Sequence, residues 1–91
     1  MKIEIPTTLR AYTGNQAVVT IQAATVAEAL NRLTGLYPEF KKHLHTPDGK
    51  LRSFVNLYLN DQDIRYLPGR EETQVRDSDT LSIIPSIAGG G

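Results

Sequence analysis

The chain of 91 residues is long enough for one small domain and too short for two. Its ten basic and ten acidic residues balance, so there is no electrostatic reason to expect nucleic acid or an anionic membrane as a partner. The sequence contains no cysteine, which excludes disulfide bonds, a thiolate nucleophile and a thiolate metal site. Because the first residues lack the apolar core of a signal peptide, and no apolar run approaches the length of about 20 residues that a membrane span needs, we expect a soluble cytoplasmic protein.

The N-terminal part of the sequence predicts two strands. Polar and apolar residues alternate over residues 2–5, where Ile3 and Ile5 are the predicted core positions. The run Ala-Val-Val-Thr-Ile at residues 17–21 has the β-branched composition typical of a strand. A Thr-Gly-Asn turn signal lies between the two runs at residues 13–15. We therefore expect a hairpin with a moderately long loop.

A helix is predicted to follow this hairpin. Thr25, with Glu28 three residues later, is the signature of a capping box, in which each side chain bonds a backbone N–H at the start of a helix. The helix is therefore expected to begin at Val26 and to pack an apolar stripe on a sheet. Gly35 is its predicted end, and Pro38 makes continuation of the helix beyond that point unfavourable. A short second helical turn is expected after it, with Phe40 as its anchor.

The strongest internal strand signal is the run Phe-Val-Asn-Leu-Tyr-Leu at residues 54–59. Its period of two places the aliphatic side chains on one face and Phe54 and Tyr58 on the other. An antiparallel sheet with one covered face would display these two rings to solvent or to a partner. Packing of the rings against a loop is the alternative.

The rest of the chain predicts a short returning strand and a final strand. Residues 60–63 form a predicted hairpin turn, after which residues 64–66 return as a short strand. Residues 80–84 are the last strand, and Pro85 ends it because proline has no N–H for the ladder. The order β-β-α-β-β-β predicts an α+β fold with a mixed sheet wrapped around one main helix and the last strand parallel to the first in the middle. This is the β-grasp, or ubiquitin-like, arrangement.

Two pairs of polar residues invite a chemical interpretation that their spacing does not support. His43 and His45 stand two residues apart without a nearby cysteine or matched acidic partner, so a solvated loop explains them better than a metal site does. Asp61 and Asp63 resemble a general acid and base, but turns collect aspartate for local hydrogen bonds. No catalytic residue and no metal ligand is predicted.

The chain is predicted to divide into one domain, residues 1–87, and a flexible tail, residues 88–91. The tail ends in Gly89, Gly90 and Gly91, which have no side chain for chemistry and are costly to order. A frayed end or a cloning remnant is the simplest interpretation of these glycines. The alternative is that the α-carboxylate is a reactive group, and that the narrow glycine tail allows it to enter the active site of another protein.

These residues together resemble the ubiquitin-like sulfur carriers, the ThiS/MoaD family, over nearly the whole chain. The matching stretches are residues 5–10 (Ile-Pro-Thr-Thr-Leu-Arg), residues 54–61 with 63–65, residues 77–85, and residues 88–90 (Ala-Gly-Gly). The middle block and the segment from Ile84 to Ala88 favour the CysO-like branch of that family. Its members typically end in Gly-Gly, so in this chain either Gly91 is the reactive residue or it is removed to expose Gly90.

The resemblance implies a carrier and co-substrate that is not itself an enzyme and binds no cofactor. An E1-like enzyme would use ATP and magnesium to adenylate the glycine carboxylate, and a sulfur donor would then convert it to a thiocarboxylate. In the CysO-like branch the sulfur would pass to an acceptor on a PLP-dependent cysteine synthase, and a metalloprotease would trim the tail or release the product. The alternatives are sulfur delivery to molybdopterin or to the thiamine thiazole, a ubiquitin-like covalent protein modifier, and an interaction domain with an inert tail.

A separate docking surface is expected on the open face of the sheet. Ordering the tail costs about 1–2 kcal/mol per residue in backbone entropy, and contacts of the tail alone do not offset that. The predicted partner-binding residues are Phe54, Tyr58 and Ile84 at the apolar centre, Arg10 or Arg65 at the rim, and Ala88 in the tail. Alanine at Phe54 and Tyr58 is predicted to weaken partner binding and to leave the fold intact.

Overall fold

The computed structural model describes residues 1–53 and 55–85 of the chain. Within those residues it contains strands, two α-helices and three short 3-10 helices. In chain order the elements are β1 (Lys2–Glu4), a 3-10 helix (Thr7–Thr13), β2 (Val18–Thr20), α1 (Val26–Leu36), α2 (Pro38–Leu44), β3 (Val55–Leu59), β4 (Gln62–Asp63), 3-10 helices at Ile64–Tyr66 and Arg70–Glu72, and β5 (Thr80–Pro85).

The strands form one mixed sheet in the order β2-β1-β5-β3-β4. Strand β5 runs parallel to β1, with Leu81 opposite Ile3, and antiparallel to β3, with Ile83 opposite Leu57. The outer strands β2 and β4 are antiparallel to their neighbours. The last strand therefore lies in the middle, parallel to the first, and the predicted β-grasp arrangement is confirmed.

One face of this sheet is covered by the helices. The predicted apolar stripe of α1 is buried, and α2 adds two fully buried side chains, Phe40 and Leu44. The stripe and the sheet belong to a single buried cluster, whose helical members are Val26, Ala29, Leu30, Leu33, Phe40 and Leu44. Phe40 anchors the second helix, as predicted. Among the described residues, no helix is long and apolar enough to cross a membrane.

The predicted capping box at the start of α1 is present in part. The Thr25 hydroxyl accepts a hydrogen bond from the Glu28 backbone N–H at 3.1 Å, as predicted. The Glu28 carboxylate, however, accepts from the N–H of Ala24 at 2.7 Å, one residue before the predicted donor. Ala24 also accepts a backbone hydrogen bond from Val75, so this strand-like pairing fixes the chain that enters the helix.

The end of α1 differs from the prediction by one residue. Gly35 lies inside the helix, which ends at Leu36, and the Tyr37 N–H still bonds the carbonyl of Leu33 at 3.0 Å. The chain turns at Tyr37, whose φ of −129° and ψ of 80° lie outside the helical region. Pro38 follows it and disfavours a helical conformation in the preceding residue. Proline, and not glycine, therefore ends this helix.

The segment Ile64–Tyr66, predicted as a strand, is a 3-10 helix, so that prediction was wrong. The turn before it is shorter than expected, because only Asn60 and Asp61 form it, with positive φ values of 50° and 73° that suit a two-residue hairpin turn. The returning strand β4 therefore begins two residues early. Its last residue, Asp63, accepts a hydrogen bond from the Arg65 N–H at 2.9 Å, which turns the chain out of the sheet.

The connection between β1 and β2 is also more ordered than a loop. It contains the 3-10 helix Thr7–Thr13, which buries Leu9 and Thr13. The predicted turn follows, with Gly14 and Asn15 in the left-handed region at φ values of 61° and 63°. The two predicted strands thus pair as a hairpin whose loop contributes to the core.

Candidate functional site

Strand β5 carries the chain toward the predicted reactive tail. It is held between β1 and β3, and its last residue, Pro85, lies opposite Val55. The predicted site residues Phe54, Ala88, Gly89, Gly90 and Gly91 lie outside the described residues, as does the predicted domain boundary after residue 87. The described part of the site is therefore the sheet surface around the end of β5.

The open face of the sheet brings two of the predicted docking residues together. Tyr58 of β3 lies opposite Ser82 of β5, and Ile84 lies opposite Asn56. Tyr58 and Ile84 are thus diagonal neighbours on adjacent strands, within reach of one another. Ile84 is 48% exposed although it is aliphatic, and Tyr58 is half-buried. The apolar centre of the predicted surface is present on this face.

A groove lies beside Ile84 at the end of β5 from which the tail continues. It has a volume of about 630 Å³, and its walls come from the end of β5, the end of β1, the start of β2 and the first turn of the 3-10 connection. Ile84, Pro85, Val18 and Arg10 are among the residues that line it. The Arg10 Nε donates a hydrogen bond to the carbonyl of Ile5 at 3.1 Å, which holds the guanidinium at the groove. The groove therefore offers a cation beside the base of the tail.

Arg65 stands on the other side of the open face, after the edge strand β4. Its Nη2 donates to the Asp63 carboxylate at 2.6 Å, and its Nε donates to the same group at 3.1 and 3.2 Å. The hydrogen bonds from the Asp63 carboxylate, and then its negative charge, raise the pKa of the guanidinium. Arg65 is thus an oriented cation next to Tyr58. The two predicted rim arginines, Arg10 and Arg65, flank the face from opposite sides.

Two exposed residues of this region were missed by the sequence analysis. Val18 of β2 is 43% exposed at the groove, and Tyr66 is 84% exposed beside Arg65. The period of two in residues 17–21 would have turned Val18 outward, so a signal for it existed. Tyr66 had no such signal, because its exposure follows from the 3-10 helix that replaced the predicted strand.

The solvated loop predicted for the histidine pair is wrong, because His43 lies in α2 and both side chains are half-buried. The His43 ring stacks on Tyr12 with centroids 4.2 Å apart. Burial lowers the pKa of His45, and the positive charge of Lys41 lowers it further. Across residues 1–53 and 55–85 no group of three or more possible metal ligands comes together.

The described site as a whole is an apolar patch between two arginines, which suits recognition of another protein.

The family model described as "ThiS family" matches residues 3–90 of the chain. The chain is also 38% identical to the "Sulfur carrier protein CysO" of Mycobacterium tuberculosis over 97% of its own length and 96% of that protein. Among solved structures it is similar to the crystal structure of the Amycolatopsis orientalis BexX/CysO complex, with a TM-score of 0.85 and 39% identity over 98% of each chain. The fold and the sequence similarity thus extend over the same residues.

A third relative is named as a protein modifier and not as a sulfur carrier. The chain is 33% identical to the "Small archaeal modifier protein 3" of Haloferax volcanii, over 74% of this chain and 71% of that protein. The named relatives of this fold therefore include both a sulfur carrier and a protein modifier.

Proposed function

This chain belongs to the ThiS family, and from that membership we propose that it is a sulfur carrier of the CysO type. The observation that carries the proposal is the similarity to the sulfur carrier CysO over almost the full length of both chains. Like these relatives, the chain is a carrier and not an enzyme. Its partners supply the catalytic groups.

The reactive group of the proposal is the carboxylate of the terminal glycine, Gly91, or Gly90 if the last residue is removed. A carboxylate is a poor electrophile, so an E1-like enzyme uses ATP and magnesium to join it to AMP, with release of pyrophosphate. A sulfur donor attacks the carbonyl carbon of this acyl-adenylate, the bond to AMP breaks, and a thiocarboxylate results. Glycines suit the channel of such an enzyme because they admit a backbone without any Cβ.

The open face supports a docking role in this chemistry. Tyr58 and Ile84 provide an apolar centre beside the strand that leads to the tail, and Arg10 and Arg65 stand on either side of it. Arginine and tyrosine are the residue types that most often dominate binding at interfaces. Contacts on this face can offset the entropy lost when the tail is ordered in the partner. The solved BexX/CysO complex of a similar chain supports a protein partner for this one.

The acceptor proposed for the sulfur is an activated serine derivative on a PLP-dependent cysteine synthase. The support for this acceptor is the similarity to CysO. A metalloprotease would trim Gly91 or release the product. ATP, magnesium and PLP belong to these partners, and the pathway is proposed to operate in the cytoplasm. Delivery to molybdopterin or to the thiamine thiazole is the alternative within the family.

The proposal is tested by the intact mass of the protein after incubation with ATP, magnesium, a sulfide source and the E1-like enzyme of the same organism. We expect a gain equal to the exchange of one oxygen for sulfur, and no gain in a variant that lacks residues 89–91. The base mass shows whether Gly91 is retained. A chain shortened to Gly90 serves as the control for trimming, and if neither chain gains sulfur while a known carrier does, the proposal is wrong.

A covalent protein modifier is the second candidate function, and the similarity to the small archaeal modifier protein supports it. The same terminus would then form isopeptide bonds with lysines of other proteins. Blotting a cell lysate for an epitope-tagged chain would reveal conjugates of higher mass that disappear when the glycines are deleted. If no conjugates are found and the thiocarboxylate does form, the modifier function is excluded and the carrier function remains.

A further inference from the structure

Strand β2 forms one edge of the sheet, and its outer side is open. Residues 17, 19 and 21 direct their backbone groups toward β1: Val19 lies opposite Ile3, the Ala17 carbonyl accepts from Ile5, and the Ile21 N–H donates to Met1, both at 2.8 Å. Because these groups alternate in direction along an antiparallel strand, the N–H and C=O of Val18 and Thr20 point away from the sheet.

These outward groups have no strand to pair with in the part of the chain that the structure describes. β2 stands at the end of the strand order, and neither Val18 nor Thr20 takes part in the other backbone hydrogen bonds of residues 1–53 and 55–85. Edge strands are commonly protected by lysine, proline or a bulge. The β2 sequence Val-Val-Thr contains neither lysine nor proline, so two donors and two acceptors remain available along this edge.

A groove runs beside this edge on the helix side of the sheet. It has a volume of about 320 Å³ and lies between β2 and the last turn of α1. Thr20 and Ile21 form one wall, and Arg32, Gly35 and Leu36 form the other. Leu36 is 61% exposed, and a Cβ placed on Gly35 would meet no atom within 4 Å. The groove therefore has room for aliphatic side chains and an apolar residue to contact them.

We propose that the β2 edge and this groove bind an extended aliphatic segment of a partner protein, which adds to the sheet as a further strand. The backbone of the segment pairs with Val18 and Thr20. Its alternate side chains enter the groove against Leu36, while the others lie along the open face next to Val18. The groove of this surface lies on the helix side of the sheet, opposite the face that carries Tyr58 and Ile84, although Val18 also lines the groove beside Ile84.

The charges around the edge select the chemistry of this segment. Arg32 lines the groove, with its Nε 3.9 Å from the Glu28 carboxylate and most of its side chain exposed. Lys2 is exposed and lies opposite Thr20 in the β1–β2 register. Glu4 is exposed on the same strand and lies opposite Val18, so the open face next to the edge carries one charge of each sign. The cation that faces side chains entering the groove is Arg32. The segment that fits combines aliphatic residues with a neighbouring acidic one.

The binding test uses a phage-displayed library of random peptides selected against the full chain. We expect enrichment of peptides with alternating aliphatic residues and a flanking Asp or Glu. A synthetic copy of the most enriched peptide should then slow amide hydrogen exchange at Val18 and Thr20. The Val19 amide faces β1 and serves as the internal reference. Failure to enrich such peptides, or unchanged exchange at both edge amides, would overturn the proposal.

Two pairs of variants separate the groove from the edge. Gly35→Phe should fill the groove and weaken peptide binding at least tenfold, whereas Gly35→Ala should have little effect, because both side chains start in open space. Thr20→Pro removes an edge N–H and should weaken binding similarly, whereas Thr20→Ser retains it. Equal affinity of all four variants would contradict the proposed site. Should Thr20→Pro fail to fold, the Gly35 pair still decides.

A second copy of this chain is the competing occupant of the same edge. Sedimentation of the free protein should show a monomer, and a dimer abolished by Gly35→Phe would show that a second copy occupies the edge and would overturn the peptide proposal. Thiocarboxylate formation should be unchanged in Gly35→Phe, so failure of the edge site and failure of the carrier function are measured independently.

Discussion

Asp63 and Arg65 form an ion pair in a segment where the sequence predicted only a turn and a strand. The Asp63 carboxylate accepts hydrogen bonds from the Arg65 side chain and from the Arg65 backbone N–H. These bonds, the side-chain bonds first, hold the pKa of Asp63 below its ordinary value. The carboxylate is an acceptor that orients Arg65 beside Tyr58.

This pair predicts how the stability of the protein depends on pH. Because the folded pKa of Asp63 lies below the value of about 3.9 for an unfolded aspartate, its contribution is fully present above that value. It is lost as the pH falls from there through the folded pKa. Urea unfolding midpoints measured from neutral to acidic pH should therefore fall less steeply in Asp63→Asn than in the parent.

Asp61→Asn is the matched control for this prediction. It removes the same charge from the adjacent turn, where the side chain is exposed and takes part in no hydrogen bond or ion pair with the described residues. Part of the slope should remain in both variants, because hydrogen bonds from Asn60 and Arg76 also lower the pKa of Asp79. Identical slopes for Asp63→Asn and Asp61→Asn would contradict the role given to the pair.

The helix α1 shows how a local signal can define one end of an element. Its start follows from Thr25, whose hydroxyl accepts a hydrogen bond from the Glu28 N–H, a contact between residues three apart in the chain. Its end depends on the start of the next helix at Pro38, which forces Tyr37 out of the helical conformation. The N-terminal boundary was predicted correctly for this reason. At the other end Pro38 was predicted to prevent continuation, as it does, but the stop placed at Gly35 came one residue early.

Thr25→Ala should destabilise the domain by about 0.5–2 kcal/mol, the usual cost of removing an N-cap hydroxyl. The physical reason is that the Glu28 N–H loses its acceptor at the partly buried start of the helix. Chemical denaturation of the two proteins at the same pH measures the difference in the free energy of unfolding. Thr25→Ser keeps the hydroxyl and should stay close to the parent, and an equal loss in both variants would show that the methyl group, not the cap, matters.

The whole molecule has one face covered by helices and one face open. The covered face holds the buried cluster, while the open face carries Tyr58, Ile84 and the two rim arginines. Because the covered face supplies the stability, substitutions on the open face should alter recognition far more than folding. This separation suits a carrier that is recognised by a protein partner through its open face.

Tyr58→Ala and Ile84→Ala should each weaken binding to the E1-like enzyme at least about fivefold, or about 1 kcal/mol. The reason is loss of apolar contact at the centre of the predicted interface, and calorimetric titration measures it. Glu39→Ala is the control, since Glu39 is an exposed residue of α2, which packs on the covered face of the sheet. Circular dichroism should show an unchanged fold, and parent-like affinity in both open-face variants would refute this docking surface.

The sequence by itself determined the features that depend on near neighbours in the chain. The alternation at residues 54–59 predicted the buried face of β3, since Val55, Leu57 and Leu59 are all buried. The capped start of α1 and the Gly14 turn followed in the same way. The predicted β-grasp topology was confirmed as well, because one helix between two sets of strands leaves few compact ways to close a mixed sheet.

Only the tertiary structure decided which of these elements meet. The groove that joins Arg10 to Ile84 exists because β1 pairs with β5, and these strands lie at opposite ends of the chain. The exposure of Tyr66, the oriented Arg65 and the open edge of β2 likewise depend on how strands and turns are placed against one another. Local periodicity contains no information about such long-range contacts, because burial of the core, and not the neighbouring sequence, selects them.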